Sequence, residues 1–159
     1  MASKKAAKPT LAQAQLQLQL YDLRREPMLR RARHWLAWQF PVKTVEELNQ
    51  LSPKQNGWLR MAFSYWEQAC QMLDCGLLDE DLFFQTTNEF FIIWERTKPI
   101  MLATREKAHN PIAGIYTEKA AKRYEIWINR RAPGFVDVLR QVIQQTQKPA
   151  PPAGKKQGS

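Results

Sequence analysis

Residues 13–20 read QAQLQLQL, and Tyr21 follows at the head of YDLRREP. Leucine alternates with glutamine, which is the period of a half-buried β-strand. The residue types say otherwise. Alanine, glutamine and leucine are strong helix formers, and no valine, isoleucine or threonine lies between Leu11 and Arg25. Wound as a helix at about 100° per residue, Leu16, Leu20 and Leu23 fall within about 60° of one another. Leu11, Ala14, Leu18 and Tyr21 then fall on nearly the opposite side. The stretch therefore predicts a helix with two apolar stripes. One stripe docks on the rest of the chain, and the other needs a cover of its own or a second molecule. With this stretch helical, no strand pattern is left in the core and the chain reads as all-α.

The segments that follow carry start and stop signals for further helices. Ser52-Pro53 is an N-cap with proline at the first helical position, and Gly76 suits a C-cap after Asp74. Between them Trp58, Ala62, Tyr65, Trp66, Ala69 and Leu73 recur at three and four, widened by Leu59, Phe63 and Cys70. A stripe that wide predicts the central, most buried helix. Asp79 caps a next helix with Phe83, Thr87, Phe90, Phe91 and Trp94 on one face, which Pro99 should kink or end. A short helix through Leu102 and Arg105 and a loop at HNPIAG, residues 109–114, come next. Thr117 then caps a helix with Ala120, Tyr124, Trp127 and Ile128 inward. A last helix turns Phe135, Leu139, Val142 and Ile143 inward, and Thr44 caps a short turn between Phe40 and Ser52. The expectation is a compact bundle of about five or six helices. It should occupy residues 10–147, between disordered basic ends at 1–9 and 148–159.

The chain has 159 residues with six Trp and seven Phe, enough for one domain with a substantial core. Its formal charge is +9, unevenly placed. Residues 1–43 carry nine Lys/Arg and two acids, residues 44–95 two and nine, residues 96–159 thirteen and four. An acidic middle lies between basic flanks. Either the flanking helices pack against the acidic pair, or they form a positive face for an anionic partner. The densest basic run, LRREPMLRRARHW, holds Arg24, Arg25, Arg30, Arg31 and Arg33, with Trp35 and Trp38 close behind. Arginine beside aromatic rings suits phosphate contact and base stacking. The competing reading turns Leu29, Ala32, Trp35, Leu36 and Phe40 inward and leaves the arginines as a solvated face.

Recognisable catalytic constellations are missing. His34 and His109 are the only histidines, and no Cys-x-x-Cys or phosphate-cradling glycine loop is present. Cys70 and Cys75 are about 500° apart on a helix, so they should be free thiols in a reducing compartment. Ser52 reads as a cap and Ser64 lies within a helix. Glu67 follows Trp66 at the edge of an apolar stripe, and Arg105 is its expected ion-pair partner. No metal, cofactor or small-molecule substrate is expected, and no enzyme activity. MASKKAAKPT lacks the apolar region of a signal peptide, and no apolar run is long enough to span a bilayer. The expected location is the cytoplasm.

FSYWEQACQMLDCGLLDEDLFF (63–84) and IIWERTKPIMLATRE (92–106) resemble a bacterial all-helical domain family of unknown function. The matching positions are Trp66 and Glu67, Gly76 to Asp79, Trp94 and Arg105, within roughly residues 28–125. Some members carry an N-terminal membrane helix, and the glutamine-rich helix of this chain stands in its place. The resemblance implies a helical fold and supplies no activity. The leading expectation is a non-enzymatic interaction module that self-associates or binds a protein through Leu11, Leu18 and Tyr21. The alternative is sequence-independent nucleic-acid binding by the arginine run 24–33 and the basic tails.

Overall fold

The structure, a computed structural model, describes residues 8–146. The expectations for the chain ends fall outside these residues, except that Lys8 and Pro9 precede the first helix without regular structure. The described chain is helical throughout, with no strand. In order it forms α1 (Leu11–Leu23), α2 (Pro27–His34) running into a π-helical segment (Trp35–Gln39), α3 (Val45–Leu48) and α4 (Pro53–Asp74). Then come α5 (Glu80–Thr86), α6 (Glu89–Lys107), α7 (Ile115–Asn129) and α8 (Phe135–Thr146).

Local chemistry sets most of these ends. Thr10 and Gln13 form a reciprocal capping box at the start of α1, and Ser52 and Gln55 form another at α4. Thr44 and Asp79 accept backbone N–H bonds at the starts of α3 and α5. Gly76 closes α4 at φ +75°. There its N–H donates to Leu73 O at 3.0 Å and the Leu77 N–H to Met72 O at 2.9 Å, a Schellman pair that needs the left-handed residue. His109 does the same for α6 at φ +49°, with its N–H on Glu106 O and the Asn110 N–H on Arg105 O.

Several boundaries differ from those the sequence predicts, for tertiary reasons. Thr87 is extended, at φ −156° and ψ 143°, and divides the expected Phe83–Trp94 helix into α5 and α6. The division lets Phe83, Phe84, Phe90 and Phe91 all be buried. Pro99 does not end α6, which continues to Lys107 and takes in the expected short helix. Proline removes one helical hydrogen bond. Here Pro99 is exposed while Thr97 and Ile100 on either side are buried, so packing holds the helix across it. In α8, Val136 and Ile143 face inward, and Phe135 and Val142 are more than a third exposed. Arg140 sets that rotation by reaching Glu95 and Glu125.

α4 packs against α2 and α7, and α6 against α7, α8 and the π-helical segment. At the centre Trp66, Phe83, Phe84, Phe90 and Tyr124 meet in edge-on, tilted and stacked pairs, for example Phe84–Tyr124 edge-on at 5.4 Å, Trp66–Phe90 tilted at 6.1 Å and Phe84–Phe90 stacked at 5.7 Å. Each such side chain contributes about 1.5–3 kcal/mol of burial. The charge blocks complement one another across this core. Eight of the eleven ion pairs among the described residues join the acidic middle to a basic flank. They include Arg33–Glu89, Lys119–Asp74, Arg123–Glu80, Arg131–Asp81 and Arg140–Glu95. Arg96 is the exception: fully buried on α6, it donates through Nη2 to the Thr146 hydroxyl and has no carboxylate partner among the described residues.

Candidate interaction site

α1 lies on the bundle by its Leu16/Leu20 side. Leu20 is its single buried residue, and Leu16 packs against the core edge. The glutamines of the alternating stretch also have work. Gln13 Nε2 donates to Gly76 O at 3.4 Å. Gln17 Nε2 donates to Leu82 O at 3.1 Å and to the Thr86 hydroxyl at 2.8 Å. At about 100° per residue Gln13 and Gln17 share the flank of Leu20, so the alternation puts an apolar anchor and polar pins on one side. Tyr65 completes the seat by donating its hydroxyl to Leu20 O at 2.5 Å. Burial pushes that phenol up to about 12, which keeps it a donor. Leu23 leaves its expected stripe and is 60% exposed, because α1 ends there and the chain turns through Arg24 into α2.

The opposite stripe is left exposed by the described residues. Leu11, Leu18 and Tyr21 are 75%, 68% and 55% exposed. Leu23 and Met28, 60% and 44% exposed, follow them in the chain. The first charge on α1 is Asp22, so the stripe itself is neutral.

The arginine run is divided. Leu29, Ala32, Trp35, Leu36 and Phe40 point inward as expected. Arg33 does not join the solvated face: it is buried, and it grips both Glu89 oxygens at 2.6 Å while Nη1 donates to Arg24 O. Arg24 lies 3.7 Å from the same carboxylate, with its guanidinium over the rings of Tyr21 and Trp66. Trp66 Nε1 donates to Glu89 as well, at 3.0 Å. Only Arg25, Arg30 and Arg31 of the five are exposed. Glu89 is thus a hub that local sequence does not announce, since its partners lie 23 and 56 residues away.

Glu67 is not paired with Arg105. It caps α7 from α4, accepting the Tyr116 N–H at 3.0 Å, the Thr117 N–H at 2.9 Å and the Thr117 hydroxyl at 2.6 Å. α7 starts from Gly114, which has no side chain to cap it, and the carboxylate from α4 supplies the missing acceptor at the positive helix end. Thr117 is therefore a buried donor, not the N-cap. Arg105 turns to Glu118 at 2.5 Å and to Ala113 O at 2.7 Å, over the ring of Trp94. Gly114 is required twice over: its φ is +67°, and a Cβ would stand 2.9 Å from Phe63 Cζ.

Both cysteines are free thiols. Cys70 is buried, and burial pushes its thiol well above the usual range, away from nucleophilic use. His34 and His109 are exposed, and among the described residues no group of three His, Cys, Asp or Glu could hold a metal ion. No helix among them is long and apolar enough to cross a membrane.

Gly76 to Asp79, Trp66, Glu67, Trp94 and Arg105 thus all act in caps and braces that hold the bundle. No curated protein and no solved structure matches the chain. One family does match, over residues 9–124, a span that takes in α1 and leaves α8 outside. Helices α1 to α6, the start of α7, the Gly76 turn and the Glu67 and Arg105 braces lie within that span, and the chain belongs to the family described as Domain of unknown function (DUF4760).

Proposed function

We propose that this protein is a non-enzymatic helical interaction module of the cytoplasm that self-associates through the outer face of α1. The observation that carries this reading is the exposed stripe of Leu11, Leu18 and Tyr21 on a helix whose other side is anchored and pinned. Neutrality favours a second copy as the partner. A chain of formal charge +9 repels itself except through a face without charge, and residues 11–21 carry none. Leucine can meet leucine and glutamine can meet glutamine across a two-fold axis, so one stripe is its own complement.

Cross-linking tests the pairing. In a Cys75→Ser background, Leu18→Cys should form an interchain disulfide on mild oxidation. Val138→Cys on α8, which is also exposed, should not. Equal cross-linking at both positions, or none at either, would sink the reading.

A second reading rests on Arg25, Arg30 and Arg31, exposed at the α1–α2 corner without carboxylate partners among the described residues. Three phosphate-seeking arginines support weak, salt-sensitive binding to nucleic acid without sequence preference. Arg24 and Arg33, engaged by Glu89, add little to it. If an oligonucleotide is shifted at low salt, Arg30→Glu with Arg31→Glu should abolish the shift; no shift at all dismisses the reading.

A further inference from the structure

Under the edge of α1 lies a cleft of about 130 Å³ whose mouth belongs to the exposed stripe and whose interior the interaction reading does not use. Its inner wall is Leu20, Trp66, Ala69 and Phe83, all buried. Leu18 and Tyr21 form its mouth. The size is close to that of an engineered cavity of about 150 Å³ that admits benzene. One aromatic ring fits such a space.

Two polar groups on the cleft are incompletely used. Arg24 is the first. Glu89 is already held by both prongs of Arg33 and by the Trp66 N–H, and Arg24 stands off at 3.7 Å. One carboxylate faces two guanidinium groups, so the local balance is one positive charge in excess. Gln17 is the second. Its Nε2 is used twice, while its Oε1 is buried without a donor among the described residues. A buried acceptor left without a donor costs stability, so the wall lacks a hydrogen-bonding partner there. Gln17 and Arg24 are seven residues apart, which places them on one face and about 10 Å apart along a helix axis.

We propose that the cleft binds a small hydroxylated aromatic carboxylate. The ring lies against Trp66, Ala69 and Phe83, the carboxylate meets Arg24, and the ring hydroxyl donates to Gln17 Oε1. A para-substituted ring bearing a short acid spans the distance between the two. The recognition is electrostatic at one end, by hydrogen bonding at the other, and apolar between.

The test uses the intact chain and 4-hydroxyphenylacetate as the probe, followed by calorimetry and by the NMR resonance of the Trp66 indole N–H. Saturable binding that moves this resonance is expected. Phenylacetate, which lacks the donor, should bind several-fold more weakly, and tyramine, which carries a cation in place of the acid, should not bind. Arg24→Gln should weaken the probe about tenfold or more, the usual effect of deleting a charged hydrogen-bond partner. Tyramine and the probe are compared on the unaltered protein, so a misfolded variant cannot decide the outcome. Absence of saturable binding, equal binding of tyramine, or an unchanged affinity in Arg24→Gln overturns the proposal. Because a second copy on Leu18 and Tyr21 would cover the mouth, binding is measured at a dilution where light scattering gives the monomer mass, so that failure to bind and failure to self-associate are told apart.

Discussion

α4 makes two kinds of joint along its length. Towards α7 it is interlocked: Glu67 caps the helix start, Gly114 closes to van der Waals distance, and Thr117 is fully buried. Towards α1 it only touches: one tyrosine hydroxyl, one buried leucine, and a cleft beside them. The first joint spends its polar groups on itself. The second leaves apolar and polar groups without partners among the described residues, and the proposed self-association and ligand binding rest on those groups. On the proposed reading, structure and function are divided between the two sides of one helix.

Breaking the interlocked joint should cost most. Glu67→Ala leaves two backbone N–H groups and a hydroxyl without an acceptor, and the expected loss is about 3 kcal/mol over the whole molecule. Urea denaturation measures it; a loss below about 1 kcal/mol would mean that water replaces the cap. Leu20→Ala should cost less, about 2 kcal/mol, since the seat is at the rim of the core and can relax. Its effect should be local. Amide exchange should speed up in α1 and stay slow in α4, and uniform loss of protection would contradict a separable α1.

The tyrosine that ties the two regions gives a pH test. The Tyr65 phenol stands at about 12, against an ordinary 10.0. A raised value means that the folded protein prefers the protonated form. Its stabilisation is complete below pH 10 and is lost as pH rises through about 12. Against Tyr65→Phe, the unaltered protein should therefore lead by about 1 kcal/mol at neutral pH. That lead should shrink across the alkaline window, as read from paired urea midpoints; a constant lead would remove the hydroxyl from the seat. The smallest effect lies far from both joints. His109→Gly relieves a left-handed residue at the end of α6 and should stabilise by up to about 1 kcal/mol.

What the sequence made legible was local. Ser52, Asp79 and Gly76 announce their helix ends because each acts on neighbours three or four residues away. The two leucine stripes of QAQLQLQL follow from helix geometry alone. The unreadable parts depend on distant residues. Nothing beside Glu67 says that its partners are Tyr116 and Thr117 rather than Arg105, since all lie far along the chain and all can donate to a carboxylate. Thr87 breaks a good helical pattern because four phenylalanines need to reach one centre, and Pro99 fails to break one because Thr97 before it and Ile100 after it are held by packing. The anchors of α1 illustrate both sides: Leu20 could be placed by period, whereas Gln17 gained its role from α5, which the period does not see.

Self-association through the outer face of α1 is tested most directly by molar mass. Light scattering across a dilution series should give the unaltered protein twice the chain mass at high concentration and a fall towards the monomer on dilution. Leu11→Gln with Leu18→Gln, both on exposed positions, should remain monomeric throughout with an unchanged melting temperature. A mass that is the same for both proteins at every concentration would contradict the account.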